Sequence, residues 1–510
     1  MNTVMAMGYM ANGNHERHQE YQHETLLVPY GMTWTAADRA AAADVVALTY
    51  VNPFTPERVR LERRLLGLPA GDTAAWHVSD LGDESRFPRL AAIAERLLAA
   101  APVAEAEARE GLMVYAVYER FRVRCMQAVD DGAEAALPWF EEFAGTVREL
   151  SRTVLPRTEV EHLLACLIQV RRAFACILGQ LVGASAPMAA LRAACWASVF
   201  GADLLRYRRC LWSRMRDFPT LVTGPSGSGK ELVAQAVGGS GYIAVDGRRG
   251  RLLGGGGVAF LPLAISSLSS SLVEAELFGH RRGAFTGAAE ERAGWLEVCP
   301  AHGCVFLDEI GEVEPAVQVK LLRVLQTRVF ARVGEHTDRT FRGRLVAATN
   351  RDLAQEIAAG RFRADVYYRL CADHIRTPAL RELLDADPGE LDRLCLALAG
   401  RIVGTDEATV VAGESARWIR RELGDGYAWP GNVRELEQCL RSLLLRGSYA
   451  PARAESASFA ERVRAGEMTA EQLLDGYCAQ VSSAAGGWRE AGRRLGMDWR
   501  TVRSRVRRGG

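Results

Sequence analysis

The chain has 510 residues, 48% of them hydrophobic and 25% charged, with a formal net charge of +1. That length predicts two to four domains, and the balance excludes a disordered, collagen-like or uniformly basic polypeptide. Of 63 basic residues only two are lysine, at positions 230 and 320. Arginine serves at most surface sites, so the two lysines stand out: a compact ammonium and a planar guanidinium are not interchangeable. No run of 18 apolar residues occurs, so no membrane-spanning helix is expected and no membrane is among the predicted partners. The start, MNTVMAMGYMANGNHERHQ, lacks the basic segment and apolar core of a secretory signal. Eleven scattered cysteines without a C-x-x-C pair predict reduced thiols in the cytoplasm. Cys299 and Cys304 have no matching pair at zinc spacing, and His15, His18 and His23 are read as a solvated terminus.

Residues 1–195 are rich in Ala, Leu, Arg and Glu. Residues 86–108 carry apolar side chains at the spacing of an amphipathic helix, and 139–183 behave alike. They contain no phosphate loop, metal cluster or nucleophile elbow, and predict a helical regulatory domain for input or dimerisation. The texture changes near Phe218. An apolar run, FPTLVTG, leads into a Gly/Ser loop and a helical stretch, and further strands are expected at 304–310 and 344–350. Strands alternating with helices predict a parallel α/β domain over 196–387. Residues 388–449 read as a helical lid, 450–467 as a linker, and 468–510 as a small all-α unit.

GPSGSGK comprises Gly224, Pro225, Ser226, Gly227, Ser228, Gly229 and Lys230. The pattern G-x-x-x-x-G-K between a strand and a helix turns backbone N–H groups and a helix N-terminus toward phosphate. Lys230 would reach the β- and γ-phosphates. The next residue is Glu231, where the general pattern has a hydroxyl for magnesium. Downstream, the apolar strand CVFLDEI ends in Asp308 and Glu309 at the sheet edge where such folds bind ligands. Asp308 would hold Mg2+, and Glu309 would polarise the attacking water.

Residues 283–288 read GAFTGA. Together with GPSGSGKE, FLDEI, VQVKLLRVLQ (317–326), AATNRDL (347–353), FRADVYYRL (362–370) and WPGNVRELE (429–437), they make residues 218–447 resemble the central ATPase of sigma-54-dependent transcriptional activators. The resemblance implies an AAA+ fold, a ring of subunits, ATP with Mg2+, and a normal Glu231 after the loop lysine. It implies a Walker B pair at Asp308 and Glu309 and a polar sensor at Asn350, with Thr349 beside it. It implies arginines reaching a neighbouring subunit's nucleotide at Arg363 and Arg369, and a sensor facing phosphate at Arg434. Gly283, Ala284, Phe285, Thr286, Gly287 and Ala288 would contact sigma-54.

One position departs from the family. Where it places an Asn that pairs with the Walker B Glu, this chain has Ala264. Hydrolysis control is then altered, or Ser266 or Ser267 substitutes. Residues 242–260, YIAVDGRRGRLLGGGGVAF, are longer and richer in glycine than the family's spacer and are read as a flexible surface insertion.

At the carboxyl end, 488–495 and 499–508 are helix candidates around a Gly496–Asp498 turn, with Ala491, Leu495 and Val502 as shared core. This is helix-turn-helix spacing. Eight arginines against two acids fall within 486–510, a concentration suited to phosphate. The segment resembles the Fis-type DNA-binding domain of these activators, with Arg500, Thr501, Arg503, Ser504 and Arg507 placed for DNA. The chain as a whole is thus expected to bind enhancer DNA and to remodel sigma-54 RNA polymerase as a homo-oligomer, hexameric when active and dimeric when not. A DNA-binding regulator with an impaired ATPase, and an AAA+ remodeller of another protein, remain as alternatives.

Overall fold

The computed structural model describes residues 34–69, 86–255, 259–285, 290–451 and 468–509, with 463 and 466. The expectations for His15, His18, His23, Thr286, Gly287 and Ala288, and most of the 450–467 linker, lie outside the described residues. The chain divides into two units, 1–441 and 442–510.

The first unit opens with seven helices: α1 (Ala36–Tyr50), α2 (Pro56–Leu65), α3 (Arg86–Ala99), α4 (Ala106–Asp130), α5 (Phe140–Ser151), α6 (Arg157–Gln180) and α7 (Ala186–Phe200). A capping box starts α1: Thr35 Oγ1 accepts the Asp38 N–H and Asp38 accepts the Thr35 N–H, each at 3.1 Å. The single amphipathic helix expected over 86–108 is two helices. α3 stops at Ala99 and α4 starts at Ala106, because Pro102 between them offers no N–H and its ring blocks a continuing turn. The helices enclose an apolar core around Leu97, Leu112, Phe121 and Phe143, with Phe121 and Phe143 edge to face at 5.1 Å.

α6, and the stretch from Ala186 to Leu211, are long and apolar enough to cross a membrane by length and composition alone. Here they are core helices, with Gln169, Arg172 and Arg192 buried among their apolar residues. α7 straddles position 195, the boundary expected from composition. A short turn, α8 (Leu204–Arg206), and a π-helical segment (Tyr207–Leu211) lead into the next layer.

That layer is α/β. In chain order it contains β1 (Thr220–Thr223), α9 (Lys230–Gly238), β2 (Val245–Asp246), β3 (Arg251–Leu252), β4 (Phe260–Ala264), α10 (Ser270–Phe278), β5 (Gly279–His280), β6 (Arg292–Ala293), α11 (Trp295–Val298), β7 (Cys304–Asp308), α12 (Pro315–Thr327), β8 (Val329–Phe330), β9 (Arg339–Thr340), β10 (Arg344–Thr349), α13 (Leu353–Ala358), α14 (Ala364–Leu370), β11 (Asp373–Arg376) and α15 (Leu380–Ala386). Five strands form one all-parallel sheet in the order β11-β1-β10-β7-β4. β10 is buried along its whole length, as expected for a strand covered on both faces. The lid helices α16 (Glu390–Val403), α17 (Thr405–Glu422) and α18 (Asn432–Arg446) follow. The parallel α/β core with a helical lid expected from the sequence is therefore present.

The helical layer is joined to the α/β layer by buried polar contacts. Arg344 on β10 donates to Ser198 Oγ of α7 at 2.8 Å and to Thr220 Oγ1 of β1 at 2.7 Å, beside Asp373 at 3.6 Å. Gln169 and Arg172 of α6 donate to the carbonyls of Ser240 and Gly241 just beyond α9, each at 2.9 Å. Fully buried Glu390, on lid helix α16, accepts the Ala184 N–H at 2.8 Å and the Ser185 hydroxyl at 3.2 Å.

The insertion at 242–255 is not a flexible surface loop, so that expectation is corrected. Ile243, Val245 and Leu252 are buried in the core of the helical domain. The antiparallel β2–β3 ribbon pairs with the loop before α5: Leu137 N donates to Gly250 O at 2.6 Å, Leu252 N to Ala135 O at 3.0 Å and Gly254 N to Ala133 O at 2.9 Å. Its glycine content has a packing cause at Gly247, where a Cβ would lie 2.4 Å from the Phe140 ring and 2.8 Å from Glu161. Gly256, Gly257 and Val258 lie outside the described residues.

The second unit contains α19 (Ala470–Ala484), α20 (Trp488–Leu495) and α21 (Trp499–Gly509). Thr469 caps α19 with Gln472 in a capping box. Cys478, Ala491 and Val502 form the buried centre, with Leu495, Met497 and Val506 packed on it. The expected helices and turn coincide with those observed.

Candidate nucleotide-hydrolysis site

The phosphate loop leaves β1 and ends where Lys230 opens α9. The lid approaches it closely. A Cβ on Gly227 would lie 2.3 Å from the Gly431 carbonyl, and φ there is +74°, so only glycine fits without displacing the lid. Val433 N donates to Gly227 O at 3.1 Å, Asn432 Nδ2 to Ser226 O at 2.9 Å, and Arg434 Nη1 to Ser226 Oγ at 3.3 Å. Asn432 Oδ1 also accepts the Leu380 N–H at 2.9 Å. From β11's end, Thr377 meets Ser228, with hydroxyl oxygens 2.6 Å apart. Asn432 and Thr377 escaped the sequence reading. Asn432 lies within the WPGNVRELE motif, and that was its only signal.

Lys230 is buried and turns back on its own loop, donating to Gly224 O at 3.1 Å and Pro225 O at 3.2 Å. Burial lowers its pKa, while the negative charges of Glu309 and Asp308 oppose that and Arg434 adds to it. These side chains therefore share one electrostatic neighbourhood. Glu231 does not face the loop. Its side chain is exposed on α9 and accepts from Gln235 at 3.2 Å.

β7 ends in Asp308. Glu309 follows in the left-handed region at φ +55°, a conformation costing a non-glycine residue roughly 1–2 kcal/mol. Its Oε2 accepts the Asn350 N–H at 3.3 Å, at the end of neighbouring β10, and its own N–H donates to Asp308 Oδ1 at 3.1 Å. Thr349 is fully buried and its hydroxyl accepts the Arg351 N–H at 3.1 Å. Ala264 pairs with Asp308 across the β4–β7 register. Ser267 does not replace the missing amide: its hydroxyl donates to the Ala264 carbonyl at 2.8 Å. Ser266 lines a separate small cavity with Glu312 and Glu314.

Arg363 and Arg369 are exposed at the two ends of α14. Arg363 is paired with Asp365 at 2.8 Å. Neither contacts the phosphate loop among the described residues. Lys320 is paired with Glu274 of α10, so the second lysine braces α12 against the helix that carries the GAFTGA hairpin.

The antiparallel β5–β6 pair carries the GAFTGA segment. Gly283 has φ +79° and open space around it. Phe285 is half-buried with its ring edge to face on His280 at 5.1 Å, and Ala284 N donates to Arg281 O at 3.1 Å. Arg332 holds the base through Glu297 at 2.7 Å, together with Glu291.

In the second unit, Arg500, Thr501, Arg503 and Ser504 are exposed opposite buried Val502. Positions 500, 503, 504 and 507 share one helical face. Arg505 differs: its ion pair with buried Asp475 of α19 at 2.9 Å makes it structural.

A sigma-54 interaction domain matches residues 210–376. The Nif-specific regulatory protein of Azotobacter vinelandii is 44% identical over 220 residues, covering 43% of this chain and 38% of that protein. The transcriptional regulatory protein ZraR of Salmonella typhimurium is 38% identical over 300 residues, covering 57% and 64%. The sigma54-dependent transcriptional regulator SfnR of Pseudomonas fluorescens is 40% identical over 228 residues, covering 44% and 56%. The chain spans less than two thirds of the length of each of these curated relatives. Residues 210–376 therefore carry a sigma-54 interaction domain, and over that part the chain is similar to these transcriptional regulators.

Proposed function

We propose that this chain hydrolyses ATP as a cytoplasmic ring-forming oligomer and uses that reaction to remodel sigma-54 RNA polymerase, while residues 468–510 hold enhancer DNA. The supporting observation is Glu309, held in a strained conformation with its carboxylate on the Asn350 amide, in the same charge neighbourhood as Lys230. In the reaction a water oxygen attacks the γ-phosphorus, the bond to the β-bridging oxygen breaks, and the water's proton passes to Glu309. Lys230 exchanges its loop carbonyls for phosphate oxygens. Arg434, already at Ser226, stabilises phosphate from the lid. Arg363 and Arg369, exposed and away from their own loop, are suited to serve a neighbouring subunit, which makes turnover depend on assembly.

Asp308 fits magnesium: its described contact is the Glu309 N–H, and no ion pair engages it among the described residues. A hard divalent cation takes one or two carboxylates and otherwise phosphate and water oxygens, and it would neutralise charge on the β- and γ-phosphates. Gly283 to Ala288 would touch sigma-54. Residues 1–195 would regulate, 388–449 close over nucleotide, and 450–467 link to the DNA-binding unit.

ATP turnover that rises with protein concentration and disappears in Glu309→Gln supports this reading. Absence of turnover at every concentration overturns it. Open-complex formation with sigma-54 polymerase, lost in Thr286→Ala, separates it from remodelling of another protein. Ala264 favours a second reading, a regulator with impaired hydrolysis, because the residue opposite Asp308 in the β4–β7 register carries no side-chain amide. A large gain of turnover in Ala264→Asn would support that alternative.

A further inference from the structure

The helical domain contains a cavity of about 170 Å³ lined from α1, α2, α3, α4, α6 and α7 and from residues 204 and 208. A cavity of about 150 Å³ takes a benzene ring, so this one has room for one ring and a small substituent. Phe87, Phe174 and Trp196 give it apolar walls. Phe174 is fixed by stacking on Phe54 at 5.4 Å, and Trp196 meets the same ring edge to face at 5.9 Å.

The polar part of the lining is cationic. Arg58, Arg122, Arg171 and Arg208 face it against a single acid, Glu119. Three of these arginines already have carboxylates: Arg58 pairs with Glu62 at 2.7 Å, Arg122 with Glu119 at 3.5 Å, and Arg208 with Glu110. Arg171 has none among the described residues. Its described contacts are the Tyr118 hydroxyl at 3.5 Å and the Phe174 ring at 5.7 Å, and its Nε is buried without a hydrogen-bond partner. The Tyr115 hydroxyl, on a residue only 4% exposed, also lacks a partner. A guanidinium Nε buried without a hydrogen-bond partner, on an arginine with no direct ion pair among the described residues, and a buried hydroxyl without an acceptor are both unfavourable. Both lack the same thing, an anionic oxygen. Glu119 does little to supply it: burial pushes its carboxyl up to about 7, so near neutrality it carries only part of its charge.

We propose that this cavity binds a small monocarboxylate with one ring-sized apolar body. The ring lies against Phe174 and Trp196, and the carboxylate receives Arg171 and the Tyr115 hydroxyl. A guanidinium suits a carboxylate because its planar donor fork matches the two oxygens. The wall residues Leu167, Val170 and Arg171 belong to α6, the helix whose Gln169 and Arg172 grip the end of α9. The occupied site therefore shares a rigid element with the helix that begins at Lys230. The assignment does not depend on the ATPase reading.

The test is calorimetric titration of the full-length chain with benzoate, beside benzyl alcohol as the neutral isostere and acetate as the ringless acid. Saturable one-to-one binding of benzoate is expected, at least tenfold tighter than either control, and at least tenfold weaker in both Arg171→Gln and Tyr115→Phe. Benzyl alcohol binding as well as benzoate removes the carboxylate assignment, and acetate binding as well removes the ring. No heat with millimolar benzoate, or benzoate binding unchanged in folded Arg171→Gln, overturns the site. The comparison of the three probes needs no variant, so it holds even where a substitution fails to fold.

Discussion

Asn432 ties the lid to both the phosphate loop and α15, and its removal has a calculable effect. The side chain is 4% exposed and makes two hydrogen bonds of 2.9 Å, to Ser226 O and from Leu380 N. In Asn432→Ala the Leu380 N–H, on a fully buried residue, is left without an acceptor, which costs roughly 1–3 kcal/mol. Ser226 is exposed, so its carbonyl recovers a water and adds little. Asn432 has φ +53°, and alanine tolerates that region less well than asparagine, adding about 1 kcal/mol. The closed lid therefore loses about 2–4 kcal/mol relative to an open one. Since each 1.4 kcal/mol is about tenfold in an equilibrium constant, ADP affinity should weaken at least tenfold. Asn432→Gly loses both hydrogen bonds but not the conformational fit, so it should fall between the two. The assay is titration of a fluorescent ADP analogue, with Arg434→Ala alongside. If the lid acts as one unit, the double variant should lose less than the sum of the singles. Asn432→Ala binding within twofold of the parent chain would refute the clamp.

Three further outcomes follow from the geometry. Gly247→Val drives a side chain into Phe140 and Glu161; overpacking of about 1–3 kcal/mol should release the β2–β3 ribbon, read as new protease cleavage within 242–255. If cleavage and melting are unchanged, the ribbon is not docked. Burial raises the Glu119 carboxyl from 4.5 to about 7, so the folded chain holds that proton more tightly than the unfolded chain. Its contribution to stability is full below about pH 4.5 and is lost as pH rises toward 7. The parent chain should therefore lose melting temperature relative to Glu119→Gln between pH 5 and pH 8, and a constant difference would contradict the burial argument. Arg503→Ala should weaken DNA binding and reduce the salt slope by about 0.9 for one phosphate contact. Arg505→Ala should instead destabilise the three-helix unit by about 1–2 kcal/mol through Asp475, seen in melting of the full chain as loss of its earliest transition.

The chemistry-bearing segments were legible from the chain because each is short and contiguous. A glycine loop followed by lysine, an apolar strand ending in two acids, GAFTGA, and two helices around a glycine turn carry their signal within a dozen residues. Periodicity likewise placed β1, α9, β7, β10 and the terminal helices. It failed at Pro102, where one continuous pattern hid a break.

Contacts between distant residues were not legible, since local spacing holds no record of them. The ribbon at 242–255 looked like a loose insertion because glycine suits both mobility and close approach; only the position of Phe140, more than a hundred residues earlier, distinguishes the two. Thr377 and Asn432 reach the phosphate loop across roughly 150 to 200 residues, as the hydrogen bonds separated by 149 and 206 positions show. The cationic cavity gathers Arg58 of α2, Arg122 of α4, Arg171 of α6 and Arg208 of the π-helical segment, which in a chain with so many arginines carried no signal singly. Even the lysines divided this way: the motif assigned Lys230, but only packing gave Lys320 its partner, Glu274. Covalent neighbours encode the chemistry of a loop or a strand end, whereas burial, pairing and the lack of a counter-charge arise when the chain closes on itself.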